Sequence, residues 1–204
     1  MKGRRPRTPK RAGAMATETV LRTLQESART KMEISHDEAE KVVRAADMIT
    51  AAFRAGKKVL IFGNGGSAAD AQHIAAEFIG KFAKERDALP AIALNVNTSV
   101  ITSISNDINY ERVFARQIEA LASSGDVVVA ISTSGRSPSV LEGLKAARAK
   151  GASTIGLTGI AGEPMRKCSD ICITAPSLKT PRIQEVHITL GHIICELVEN
   201  ELFG

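Results

Sequence analysis

Five apolar residues, Val127-Val128-Val129-Ala130-Ile131, run without a break into Ser132-Thr133-Ser134-Gly135-Arg136-Ser137, and a helical pattern follows. An unbroken apolar run of strand length suits a parallel sheet covered on both faces, because neither side of the strand meets water. The crossover that must follow begins here with hydroxyls and a glycine at a helix N-terminus. Unpaired backbone N–H groups and the positive end of the helix dipole make such a junction a place to hold an anion. The pattern also occurs earlier. Lys58-Val59-Leu60-Ile61-Phe62 enters Gly63-Asn64-Gly65-Gly66-Ser67-Ala68-Ala69-Asp70, and a helix is predicted from there to about Phe82.

The remaining elements fall into the same alternation. Strands are predicted at Ala91–Asn95, Asp126–Ser132, Ser153–Leu157 and Asp170–Thr174. Helices are predicted at about Glu111–Ala122, Ser137–Lys150 and Thr180–Leu202, the last with Thr180 as cap and Pro181 in the first helical position. Ahead of the first strand, residues 16–35 carry Val20, Leu21, Leu24, Met32 and Ile34 at amphipathic spacing. Ser35, with Glu38 three residues on, starts a second helix that Gly56 ends. Strands alternating with helices predict an α/β chain: a three-layer, doubly wound, five-stranded parallel sheet. The two leading helices exceed what that unit needs, and are expected to cover an exposed face or pack on another subunit. Residues 16–204 read as a single domain.

The formal charge of +5 is unevenly spread. Lys2, Arg4, Arg5, Arg7, Lys10 and Arg11 all lie in residues 1–15, which hold no acid. Removing these six from the 27 basic residues leaves 21 against 22 acidic. Residues 1–15 are therefore expected to be a disordered basic tail rather than a nucleic-acid-binding arm, and Met15 is the expected translation start. The near-neutral remainder, with aromatics at 3% and no Trp, lacks the stacking platforms of a single-strand binder, so no nucleic-acid partner is expected for it. The sequence contains no apolar run long enough for a transmembrane helix and no apolar stretch after the basic start, so neither a membrane nor a secretory signal is predicted. Three cysteines, Cys168, Cys172 and Cys195, are sparse and odd in number, as in a reducing cytoplasm. They read as bystander thiols.

Gly63-x-Gly65-x-x-Ala68 matches the form of a dinucleotide fingerprint, which also wants an acid at the end of the next strand. Asn95-Val96-Asn97 stands there instead, which argues against NAD. Ser132, Thr133, Ser134 and Ser137 place four hydroxyls beside a helix start, more than a cap requires, and no Gly-Lys-Ser/Thr follows. Neutral donors without lysine suit a phosphomonoester on a small molecule. His73 and Glu77 lie one turn apart on one helical face. Gln184 and His192 are eight residues apart, about 80° around the last helix, with His187 competing for that face. Spacing alone leaves three readings open: a metal site, an acid–base pair, or ordinary hydrogen-bonded histidines.

Phe62-Gly63-Asn64-Gly65-Gly66-Ser67, Asn106-Asp107, Ile131 to Ser137, and Arg182-Ile183-Gln184-Glu185-Val186-His187 together resemble the sugar isomerase (SIS) domain family. The closest resemblance is to its phosphoheptose-isomerising branch, from about Thr19 to Phe203. The resemblance implies a homotetramer with active sites between subunits, one Zn2+ per subunit, and interconversion of sedoheptulose 7-phosphate and D-glycero-D-manno-heptose 7-phosphate in the cytoplasm. That reaction would open heptose precursor synthesis for lipopolysaccharide core or a related glycan. By motif, Ser132, Thr133, Ser134 and Ser137 would hold phosphate. Asn64, Gly65, Gly66, Ser67, Glu77, Asn106, Asp107 and Gln184 would contact the sugar. His73, Glu77, Gln184 and His192 would bind the metal, and Glu77 and His192 would be the acid–base pair. The resemblance thus selects His192 over His187. Lys81 stands where the family often has Arg, so the charge is kept and the bidentate fork lost. The competing readings are a tetrameric scaffold of this fold that binds a replication initiator, and another sugar-phosphate isomerase.

Overall fold

The computed structural model describes residues 9–204, and the expectations for residues 1–8 lie outside them. Five strands form one all-parallel sheet in the order β2-β1-β3-β4-β5. They are β1 (Val59–Gly63), β2 (Ala91–Ala93), β3 (Val127–Ser132), β4 (Ser153–Gly159) and β5 (Ile171–Ala175). In this order the chain reverses its direction of winding between β1 and β3, and the crevice beyond the C-terminal ends of those two strands is where such sheets bind ligands.

Alternate residues of β1 and β3 enter two separate cores. Ile61, Val129 and Leu157 pack with helices α2 (His36–Arg54), α3 (Gly66–Ile79) and α8 (Thr180–Phe203) through Ile49, Phe78 and Val186. Leu60, Phe62 and Val128 pack with α5 (Val113–Leu121) and α6 (Pro138–Ala149) through Phe114 and Leu144. Burial of β1 and β3 on both faces follows directly from their unbroken apolar runs. α1 (Pro9–Met32) lies outside α8, and Arg182 ties the two by donating to the Thr23 carbonyl at 2.9 Å.

Several boundaries differ from the sequence reading. α1 begins at Pro9, so residues 9–15, expected as tail, are helical. α4 (Thr98–Asp107) was not foreseen. Its start, Thr98-Ser99-Val100-Ile101-Thr102-Ser103, is built of β-branched and hydroxylated residues of low helix propensity. Asn97 overrides that by accepting from the Val100 N–H at 3.1 Å. The six-residue α7 (Glu163–Cys168) and a 3-10 turn at Tyr110–Arg112 were likewise unforeseen. At the head of α8 the cap position is Lys179, not Thr180, and no side chain caps it. Ser35 does cap α2, accepting from the Glu38 N–H at 3.2 Å. Glu38 does not return the bond. Its carboxylate accepts from Lys41 Nζ at 2.8 Å and from the Thr174 N–H on the outer strand β5 at 2.7 Å.

Candidate active site

The loops leaving β1 and β3 meet in the crevice at the switch point. They enclose a cavity of 270 Å³ lined by Asn64, Gly65, Gly66, Ser67, Ser132, Thr133, Ser134 and Ser137, with Thr180 and Gln184 from the start of α8. Three helices, α3, α6 and α8, begin at this cavity, and none has a side-chain cap bond. No side chain competes for these helix starts, although Pro138 and Pro181 carry no N–H and Ser67 donates to the Asn64 carbonyl at 3.0 Å, and the three dipoles add positive potential. The cavity is lined by hydroxyls, amides and backbone donors and no lysine, a neutral donor set that suits a phosphomonoester. Gly66 is needed for closeness: a Cβ there would overlap the Gln184 side-chain amide.

Asn95, where a dinucleotide site would place an acid, is structural. Its amide donates to the Gly63 carbonyl at 2.8 Å and accepts from the Gly63 N–H at 3.4 Å, fixing the glycine loop. Asn64 donates to Ser137 Oγ at 2.9 Å and Ser139 Oγ at 3.0 Å, and accepts from the Tyr110 hydroxyl at 2.6 Å. Ser139 and Tyr110 were missed by sequence reasoning. The 3-10 turn that brings Tyr110 back across the crevice leaves no periodic signal.

A second cluster lies two turns further along α3 and α8. His73 Nε2 sits 2.9 Å from Glu77 Oε1 and 3.3 Å from His192 Nε2. Ligand atoms of all three fall within 4.8 Å of one another. Two imidazole nitrogens and a carboxylate form a donor set suited to zinc. Separations of 2.9 and 3.3 Å approach the ~3.3 Å edge of a tetrahedron with bonds near 2.05 Å. The residues therefore fit a metal.

The structure does not bring every expected residue together. Gln184 lines the donor-rich cavity beside Gly66, whereas His192 lies about 12 Å further along the axis of α8, so within one chain Gln184 sits at the cavity rather than with the His73/Glu77/His192 cluster. Asn106 and Asp107 are exposed at the end of α4, hydrogen-bonded to each other at 2.8 Å, and do not line the cavity. Lys81 pairs with Glu85 on the surface. His187 is fully buried and neither ring nitrogen has a hydrogen bond of normal geometry. Burial pushes its pKa down to about 4, against the opposing influence of the Thr158 main chain. A neutral core imidazole results, which removes it from competition with His192. Burial likewise raises the Cys172 thiol to about 11 and Cys195 to about 12, so both are unreactive.

An ionic knot supports the second cluster from behind. Glu199 accepts from the N–H groups of Phe82 at 3.1 Å, Ala83 at 2.8 Å and Lys84 at 2.7 Å, and from Arg86 Nε at 2.8 Å. The Arg86 guanidinium also donates to the carbonyls of Glu77 and Phe78, capping α3 where Glu77 sits. The segment is thereby fixed with the Phe82 ring 5.8 Å from that of His192. Burial would raise the Glu199 pKa, but the three backbone donors and Arg86 overcome it and hold the group at about 2. Asp70, one turn before His73, is half-buried with Oδ2 unpartnered, and desolvation raises its pKa.

A parallel sheet with a capless anion cradle at its switch point, and a His/Glu/His cluster along the adjoining helices, defines an α/β domain for phosphorylated sugars. Comparison with known proteins agrees. The SIS domain matches residues 24–159. Phosphoheptose isomerase of Roseiflexus sp. (strain RS-1) is 51% identical over 187 residues, covering 92% of this chain and 95% of that protein. Its counterpart in Aquifex aeolicus (strain VF5) is 50% identical over 182 residues, covering 89% and 95%. The structure of phosphoheptose isomerase GmhA from Neisseria gonorrhoeae superposes with a TM-score of 0.85 at 40% identity, covering 91% of this chain and 99% of that one. The chain belongs to the SIS domain family and, within it, to the phosphoheptose isomerases.

Proposed function

We propose that this protein interconverts sedoheptulose 7-phosphate and D-glycero-D-manno-heptose 7-phosphate through an enediol. The observation that carries the reading is the pairing of a lysine-free phosphate cavity with the His73/Glu77/His192 cluster on the same two helices. The cavity holds the unreactive end of the substrate, so its binding energy positions the reacting carbons. From the ketose, the Glu77 carboxylate takes a proton from C1 while protonated His192 gives one to the oxygen on C2. His192 then recovers a proton from the oxygen on C1, and Glu77 returns its proton to C2, leaving both groups as they began. Glu77 Oε1 faces His73, which leaves the second carboxylate oxygen for the carbon acid. His73, Glu77 and His192 would also hold zinc, the metal then taking the place of the proton on His192 and supplying positive charge for the enediolate oxygens.

Gln184 completes a four-residue ligand set only from a second copy of the chain, because one α8 cannot aim both Gln184 and His192 at a single ion. We therefore read the active enzyme as a homotetramer with sites shared between subunits. We assign it to the cytoplasm, at the opening of heptose precursor synthesis for a surface glycan. Among the described residues, no helix is long and apolar enough to cross a membrane.

The test is turnover of sedoheptulose 7-phosphate by purified protein. Glu77→Gln and His192→Gln are each expected to lower kcat by about 100-fold or more, the usual contribution of a positioned acid or base. Unchanged turnover in both variants defeats the assignment. Mixed oligomers of inactive Gln184→Ala and His192→Gln chains are expected to regain activity. Their failure to do so removes the shared-site reading alone.

A further inference from the structure

We infer that Tyr110 is a positioning residue for the phosphate anchor, orienting the Asn64 amide so that Ser137 turns its hydroxyl proton toward the bound anion. This deepens the function proposed above and rests on its phosphate site.

Tyr110 is the chain's one tyrosine, half-exposed on the 3-10 turn after α4. Its hydroxyl lies 2.6 Å from Asn64 Oδ1, and Asn64 Nδ2 lies 2.9 Å from Ser137 Oγ and 3.0 Å from Ser139 Oγ. Ser137 and Ser139 are themselves 3.2 Å apart. Ser139 is buried, whereas Ser137 lines the cavity.

A count of protons fixes the directions. A phosphomonoester dianion has only acceptors, so any hydroxyl that holds it must donate. Both N–H bonds of Asn64 are used on the serines. Ser139 accepts one of them and passes its own proton to Ser137. Ser137 then accepts from Asn64 and from Ser139, which fills its two lone pairs, and its proton has one destination, the cavity. With the amide turned over, Oδ1 would face the serines and draw their protons away from the ligand. A phenol can accept as well as donate, but the 2.6 Å separation suits O–H···O rather than N–H···O, so the phenol favours Oδ1 on its own side. Which way the Asn64 amide points is thus decided by this network.

Tyr110→Phe keeps the ring and removes only that donor. KM for sedoheptulose 7-phosphate is expected to rise about tenfold, the scale of one charge-assisted hydrogen bond, with kcat changed less than about twofold. Affinity for inorganic phosphate, measured by calorimetry on the intact enzyme, is expected to fall by the same factor while the unfolding midpoint stays put. In Tyr110→Phe/Ser137→Ala, phosphate affinity is expected to match Ser137→Ala alone, because the tyrosine acts through that serine. Unchanged phosphate affinity in Tyr110→Phe, or additive losses in the double variant, overturns the inference. Wild-type protein that binds no phosphate overturns it too. Wild-type protein that binds phosphate but does not isomerise the heptose refutes the proposed reaction, while the phosphate measurements still decide the role of Tyr110.

Discussion

Glu199→Gln offers a direct measurement of the knot behind the His73/Glu77/His192 cluster. The carboxylate and its arginine are nearly inaccessible, with side chains 3% and 1% exposed. A folded pKa of about 2 against an ordinary 4.5 corresponds to about 3 kcal/mol of preference for the ionised form, at 1.36 kcal/mol per unit. Glutamine keeps the shape but sets an NH2 among donors and leaves Arg86 buried without a counter-charge, a change that typically costs 3–5 kcal/mol. At 2–4 °C per kcal/mol for a chain of this size, the midpoint should fall by roughly 6–20 °C. The pH dependence gives a sharper criterion. Because the folded pKa is depressed, the stabilisation is complete above 4.5 and is lost as pH falls toward 2. Urea unfolding of both proteins at matched concentration should therefore show a gap that is constant near neutrality and closes below pH 4.5. A loss under about 1 kcal/mol near pH 7, or a gap that does not narrow in acid, would refute this account of the knot.

Three further outcomes follow from the geometry. His73→Ala should lower zinc affinity by at least the roughly tenfold that losing a supporting hydrogen bond costs such sites, read as metal retained per chain after dialysis. Gly135→Ala puts a Cβ at φ +60, 2.5 Å from Gly162 Cα and 2.6 Å from Thr158 Oγ1. Left-handed backbone alone costs roughly 1–2 kcal/mol, so stability to urea should drop by at least that much and phosphate affinity with it. Gly66→Ala should behave oppositely: alanine favours the helix by up to about 1 kcal/mol, so the fold is kept, while displacement of the Gln184 amide lowers turnover in a steady-state assay.

The sheet was legible because β1 and β3 are apolar on both faces, a pattern with one reasonable home. α4 was not, because its hydroxyl-rich start contradicts its conformation until Asn97 caps it. Ser132 to Ser137 announced a donor-lined cavity through sheer density of hydroxyls. His73 and Glu77 were recoverable as a helical i, i+4 pair. Which histidine of α8 joins them was not, since His187 and His192 differ only in the face buried against β4, a property of packing. Tyr110 and the Glu199–Arg86 knot depend on contacts 46 and 113 residues apart in sequence, beyond the reach of any local pattern.

The bond from the Thr174 N–H to Glu38 lies on the outermost strand of the sheet. An edge strand's outward amides invite the backbone of another chain, which is how sheets extend into aggregates. Here a helix N-terminal carboxylate occupies that amide first, and Lys41 beside it adds a charge that an incoming strand would have to desolvate. The same side chain that could have closed a capping box acts as a plug. A Glu38→Ala chain should fold to the same sheet yet lose material to thioflavin-positive aggregates during concentrated refolding, a cost visible only when many copies fold together.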